Sequence, residues 1–101
     1  MKVLYSPGYG AGWSTWNDSK MAIDKDLIEL FERGCTEDEM VDLCIKKGYT
    51  DGVTNEPPYM GGFGDLVVTE VPKGCTFRIN EYDGSEYIDI LEEGDWFYAE
   101  D

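Results

Sequence analysis

Histidine does not occur in this sequence. Its absence removes the commonest general base, the usual zinc ligand and every Ser–His or Cys–His nucleophile pair. Basic residues are scarce as well: 8 Lys and Arg stand against 22 Asp and Glu, a formal net charge of −14. Phosphate binding needs Lys and Arg, so this balance disfavours direct contact with nucleic acid or an anionic membrane. It favours a basic partner, such as the nucleic-acid channel of another protein, although solubility alone also accounts for surplus negative charge. Cys35, Cys44 and Cys75 are an odd number without a CxxC pair, which excludes a complete disulfide framework. No apolar run is long enough for a signal peptide or a membrane span. The expected setting is reducing and cytoplasmic, with the cysteines as small core residues. Asn17-Asp18-Ser19 fits a glycosylation sequon that has meaning only with export.

Apolar residues make up 42% of the 101 residues and aromatics 14%, too many for a disordered chain. One domain over 1–101 is expected. Residues 2 to 5 read as an opening strand, followed by a loop from Ser6 to Trp13 rich in glycine. Asp24 is placed as an N-cap, with Ile23 and Ile28 as a hydrophobic staple, for a helix over 25–33 ended by Gly34. Thr36-Glu37-Asp38-Glu39 is a capping box that starts a second helix, and Gly48 ends it. Lys46 and Lys47 sit at the negative end of that helix dipole. Residues 49 to 64 carry too many Gly and Pro for a long element and read as a surface loop.

The last third reads as antiparallel strands over 66–71, 75–82 and 85–91, then Trp96-Phe97-Tyr98. Pro72-Lys73-Gly74 and Asp83-Gly84 are the turns, the second a strong hairpin signal. Phe77, Ile79, Ile88 and Ile90 are expected to face inward. The fold class is therefore α+β: an antiparallel sheet of four to five strands with a two-helix hairpin packed on one face.

Several groups invite a chemical reading. Glu81, Asp83, Glu86, Asp89, Glu92, Glu93 and Asp95 crowd a segment with no Lys or Arg after Arg78. Like charges across strands cost stability, so the excess suggests a negative surface that imitates phosphates and engages a basic groove. Trp96, Phe97 and Tyr98 cannot all face one way on a strand; a core position is the default reading, and an outward aromatic such as Trp96 would anchor an interface. A solvated face that discourages edge-to-edge aggregation is the plainer explanation. The same acids could hold Mg²⁺ in a nuclease that attacks guide RNA, though their spacing has no known signature. The loop Gly8-Tyr9-Gly10-Ala11-Gly12 follows a strand but matches no phosphate-binding motif. It reads as a tight turn that lets Trp13 and Trp16 reach the core, or as part of a small-ligand pocket with Tyr9, Trp13 and Trp16 that sequesters a nucleotide signal. Tyr59-Met60-Gly61-Gly62-Phe63-Gly64 is either an interface loop or a cover for the sheet. A catalytic thiol has no base beside it. Binding rather than catalysis is expected, with no cofactor and no metal.

Three stretches together resemble a known group: residues 3–16 (Val-Leu-Tyr-Ser-Pro-Gly-Tyr-Gly-Ala-Gly-Trp-Ser-Thr-Trp), 34–40 (Gly-Cys-Thr-Glu-Asp-Glu-Met) and 77–88 (Phe-Arg-Ile-Asn-Glu-Tyr-Asp-Gly-Ser-Glu-Tyr-Ile). The chain resembles short acidic proteins of phages and mobile elements in low-GC Gram-positive bacteria, among them anti-CRISPR proteins directed at type II-A systems. The resemblance covers most of the chain apart from the 50–58 loop. It implies a bacterial host cytoplasm and a protein that blocks guide RNA loading or DNA entry in an RNA-guided effector nuclease, while the sequence itself leaves open a monomer or a homodimer through an edge strand. Such an enzyme carries its nucleic acids in positively charged channels. The resemblance assigns no site residue.

Overall fold

The computed structural model describes residues 1–9, 12–52, 54, 56–91 and 97–98. It is α+β, with strand β1 (Lys2–Tyr5), helices α1 (Lys25–Glu32) and α2 (Glu37–Lys46), and strands β2 (Val67–Glu70), β3 (Thr76–Tyr82), β4 (Ser85–Leu91) and β5 (Phe97–Tyr98). Among the described residues, short 3-10 turns at Ser14–Trp16, Ser19–Ala22 and Phe63–Asp65 connect them.

Both helix starts follow from their caps. The Asp24 carboxylate accepts the Asp26 and Leu27 N–H groups at 2.9 and 3.2 Å. Thr36 Oγ1 accepts the Glu39 N–H, and Glu39 Oε1 in turn accepts the Thr36 N–H, which completes the capping box. Gly34 and Gly48 follow the helices at φ +83° and +80°, the left-handed conformation that stops each one. Burial pushes the Asp24 carboxyl upward, but hydrogen bonds from Tyr49, Lys47 and the Leu27 amide outweigh it and hold the group below its ordinary range. Tyr49 Oη donates to Asp24 Oδ2 at 2.5 Å and Lys47 Nζ donates at 3.0 Å, tying the end of α2 to the start of α1.

The strands do not form one sheet. β1 pairs antiparallel with β2, while β3 lies between β4 and β5 in a second, three-stranded sheet. The expected single sheet of four to five strands is corrected at Pro72-Lys73-Gly74. Proline cannot donate to a ladder. With Gly74 at φ +92°, the turn carries the chain out of the first sheet into the second instead of closing a hairpin. Asp83-Gly84 does close one: Tyr82 faces Ser85, and the two turn residues take φ 53° and 86°, as a type I′ turn requires.

Alternation along β1 explains how the parts join. Val3 and Leu4 are both fully buried and face opposite ways. Leu4 packs with Trp13, Met21, Leu27, Ile28, Met40, Cys44 and Leu66 on the helix side. Val3 packs with Ala22, Val71 and Phe77 on the side of the second sheet, where Ile79 and Ile88 also contribute. Ile90, expected inward, is 51% exposed although it shares the face of Ile88 and sits across from buried Phe77: it lies on β4, an edge strand with a neighbour on one side only among the described residues. Among the described residues no helix is long and apolar enough to cross a membrane.

Candidate functional site: a clamped loop carrying exposed aromatics

Glu86 organises the glycine-rich loop. Its side chain is buried, 1% exposed. Oε1 accepts the Ser6 N–H at 2.9 Å. Oε2 accepts the Trp13 N–H at 2.8 Å, the Thr15 N–H at 2.9 Å and the Thr15 hydroxyl at 2.6 Å. The Glu86 N–H returns a bond to the Ser6 carbonyl at 2.8 Å. A buried carboxylate is costly unless its lone pairs are filled, and here four neutral donors fill them. The loop N–H groups thus converge on an anion, but the anion belongs to the chain itself. These donors are engaged and do not offer a phosphate cradle.

The clamp fixes what the loop presents. Trp13 turns inward and is fully buried, so it belongs to the core and not to a ligand pocket with Tyr9 and Trp16. Its Nε1–H has no hydrogen-bond partner among the described residues. Tyr9 and Trp16 face outward, 82% and 40% exposed, so Trp16, expected to reach the core with Trp13, does not. Trp16 stacks on Tyr59, with ring centroids 5.8 Å apart and planes inclined by 28°. Asn17 joins the two segments: Nδ2 donates to the Trp13 and Tyr59 carbonyls at 2.8 and 3.0 Å, and Oδ1 accepts the Tyr59 N–H at 2.8 Å. The sequon asparagine is therefore engaged in local structure. Ser6 Oγ donates to the Gly62 carbonyl at 2.9 Å, and a Cβ on Gly62 would lie 2.7 Å from the Gly12 carbonyl. The 59–64 loop is pinned against the 6–17 loop at that close approach.

The residues singled out from the sequence do not assemble as one patch. Glu92, Glu93, Asp95 and Trp96 lie outside the described residues. Glu86 is removed from the surface altogether, because it shares a strand face with Ile88 and packs towards the loop. Glu81, directly across from it, is exposed and turns its Oε2 to the Gly84 N–H at 2.8 Å. Asp83 is exposed at the hairpin turn. Asp89 lies on the opposite face, across from Arg78, and accepts Asn80 Nδ2 at 3.0 Å. Alternation carried the missing signal: Glu86 has the parity of Ile88 and Ile90, which were expected inward, and a carboxylate in that series marks a buried acceptor.

Other exposed carboxylates have no hydrogen bond or ion pair among the described residues. Glu37, Asp38 and Asp42 lie on α2, Glu56 and Asp65 lie on the loops, and Glu29 lies on α1. Lys2 pairs with Glu32 at 2.9 Å, and Lys47 bridges Asp24 and Asp26. Among the described residues no group of three or more acids and cysteines is placed to hold a metal ion. Burial pushes the Cys44 thiol up to about 12, with the Asp24 charge adding to the shift. Such a thiol is inert as a nucleophile at neutral pH.

No family model, curated protein or solved structure matches the chain.

Proposed function

We propose that this protein acts by binding the basic surface of another macromolecule and denying that surface to nucleic acid. The observation that carries the reading is the net charge of −14 together with exposed carboxylates on α2 and the loops that no described cation neutralises. A potential of that sign speeds encounter with a basic groove and repels phosphate. The held Trp16–Tyr59 pair adds the type of aromatic contact that dominates binding energy at interfaces. The resemblance read from the sequence makes the guide- and DNA-binding channels of a type II-A RNA-guided nuclease the first basic surface to test. In that setting the chain is an inhibitor working in the bacterial cytoplasm.

The experiment mixes the purified chain with such a nuclease before and after guide RNA loading, at 50 and 500 mM salt, and follows complex formation and DNA cleavage. Binding that is lost when guide or DNA is bound first, and that weakens at the higher salt, is the expected result. Absence of binding, or binding indifferent to both salt and nucleic acid, refutes the reading for this partner.

A further inference from the structure

The geometry points to the stacked Trp16 and Tyr59 rings as an anchor for an arginine side chain of the basic protein partner. The inference rests on the function proposed above and adds the contact that would recognise the partner.

Three observations carry it. The first is exposure: Trp16 is 40% and Tyr59 50% open to solvent although each is held in place, so the pair is fixed without being covered. The second is preorganisation. Asn17 fixes the Tyr59 backbone through both its N–H and its carbonyl, and the Glu86 clamp fixes the residues on either side of Ser14. Gly12 and Gly61 let the rings lie on bare backbone. A Cβ on Gly12 would stand 2.6 Å from Trp16 Cδ1, and the Tyr59 hydroxyl end occupies the space a Cβ on Gly61 would need. A polar network that holds two large rings at the surface lowers the ordering cost of a contact made there. The third is charge. The chain carries a formal −14, and Asp18, which follows Asn17 directly, is in no ion pair among the described residues.

Two aromatic planes on a chain of this charge suit a guanidinium, which is cationic, planar and weakly hydrated. A lysine ammonium lacks the plane, and a nucleobase brings a phosphate into the field of a chain at −14.

The test uses nona-arginine and nona-lysine peptides as probes, titrated calorimetrically into the full chain at low salt. Wild type is expected to bind nona-arginine more tightly than nona-lysine. Trp16→Leu and Tyr59→Leu keep apolar bulk without a π-face, and each should lower nona-arginine affinity about two- to five-fold while leaving nona-lysine affinity unchanged. Circular dichroism and the urea midpoint of each variant verify the fold, and Tyr9→Leu serves as an exposed aromatic control. Equal binding of both peptides, with neither ring mattering, overturns the anchor and leaves the proposed function standing. Failure of both peptides to bind wild type refutes the proposed function and the anchor with it. Binding of a single-stranded RNA oligonucleotide that depends on both rings overturns the arginine assignment in favour of base stacking.

Discussion

Replacing Glu86 by glutamine exchanges one oxygen for an amide nitrogen and changes little else in size. Its effect follows from the direction of the hydrogen bonds. Oε2 accepts three donors and Oε1 accepts one, and all four point at the carboxylate. The glutamine oxygen is best placed at the three-donor position, which leaves the NH₂ facing the Ser6 N–H. One charge-assisted bond is lost there, worth about 1.5–3 kcal/mol, and two buried donors then confront each other. The remaining three bonds lose their ionic acceptor. A net destabilisation of about 2–4 kcal/mol is expected, a large part of the 5–15 kcal/mol typical of a domain. Glu86→Leu is expected to cost more, about 3–5 kcal/mol, because the donors it strands are mostly main-chain groups that no compensating substitution can remove. Urea unfolding followed by circular dichroism measures the first number. Hydrogen exchange at the Ser6, Trp13 and Thr15 amides tests its origin, since these should be protected in wild type and exchange much faster in Glu86→Gln. A variant within about 0.5 kcal/mol of wild type, with those amides still protected, refutes the clamp.

The other predictions concern the helices and the thiols. Thr36→Ala removes one half of the capping box and should cost about 1 kcal/mol in urea unfolding, with α2 fraying at its start. Burial pushes the Tyr49 phenol up to about 12, and its bond to Asp24 adds to the shift. Because the folded value lies above the unfolded one, this contribution is complete below about pH 10 and is lost as pH rises towards 12. Ultraviolet titration should show a tyrosine ionising late, and Tyr49→Phe should abolish that step and flatten the alkaline loss of stability. Asp24 has the opposite sign: its depressed carboxyl contributes stability above about pH 4 that disappears as acid protonates the folded group. Asp24→Asn should therefore weaken the acid dependence of unfolding. A thiol reagent at pH 8 should leave Cys44 unmodified in the native protein and label it in urea, whereas partly exposed Cys35 and Cys75 react in the native state.

What the sequence made legible was local, and what it hid was pairing. The ranges of β1 and both helices, the Asp24 and Thr36 caps, the glycine stops and the Asp83-Gly84 hairpin are each written within a few adjacent residues. Strand partnership is not local. The segment from Leu66 to Val71 reads as a neighbour of the strand that follows it, yet the chain pairs it with β1, more than sixty residues earlier. Glu86 was hidden for a different reason. Its composition speaks of a solvated acid and its parity speaks of a core position, and only the donors of the 6–15 loop explain how both hold at once. The Trp16–Tyr59 pair likewise joins two loops that neither periodicity nor spacing connects.

The acid surplus has two origins that carry different weight. Asp18, Asp24, Glu39, Asp51, Glu81 and Glu86 each accept backbone N–H groups at a turn, a helix start or the clamped loop. In a chain with few Lys and Arg, main-chain dipoles stand in for cations, and these six carboxylates have a folding role that needs no partner. Neutralising Asp24 or Glu86 would therefore weaken the fold, and lost binding in such variants would say nothing about an interface. Glu29, Glu37, Asp38, Asp42, Glu56 and Asp65 accept no such bond among the described residues. Their exchange for Asn or Gln should leave the unfolding free energy within about 0.5 kcal/mol of wild type, apart from a small dipole loss at the start of α2. If this second group sets the affinity for a basic surface, its neutralisation flattens the salt dependence of binding at unchanged stability. An unaltered salt slope in those variants would move the electrostatic contact away from α2 and the loops and deprive the proposed function of its basis on this surface.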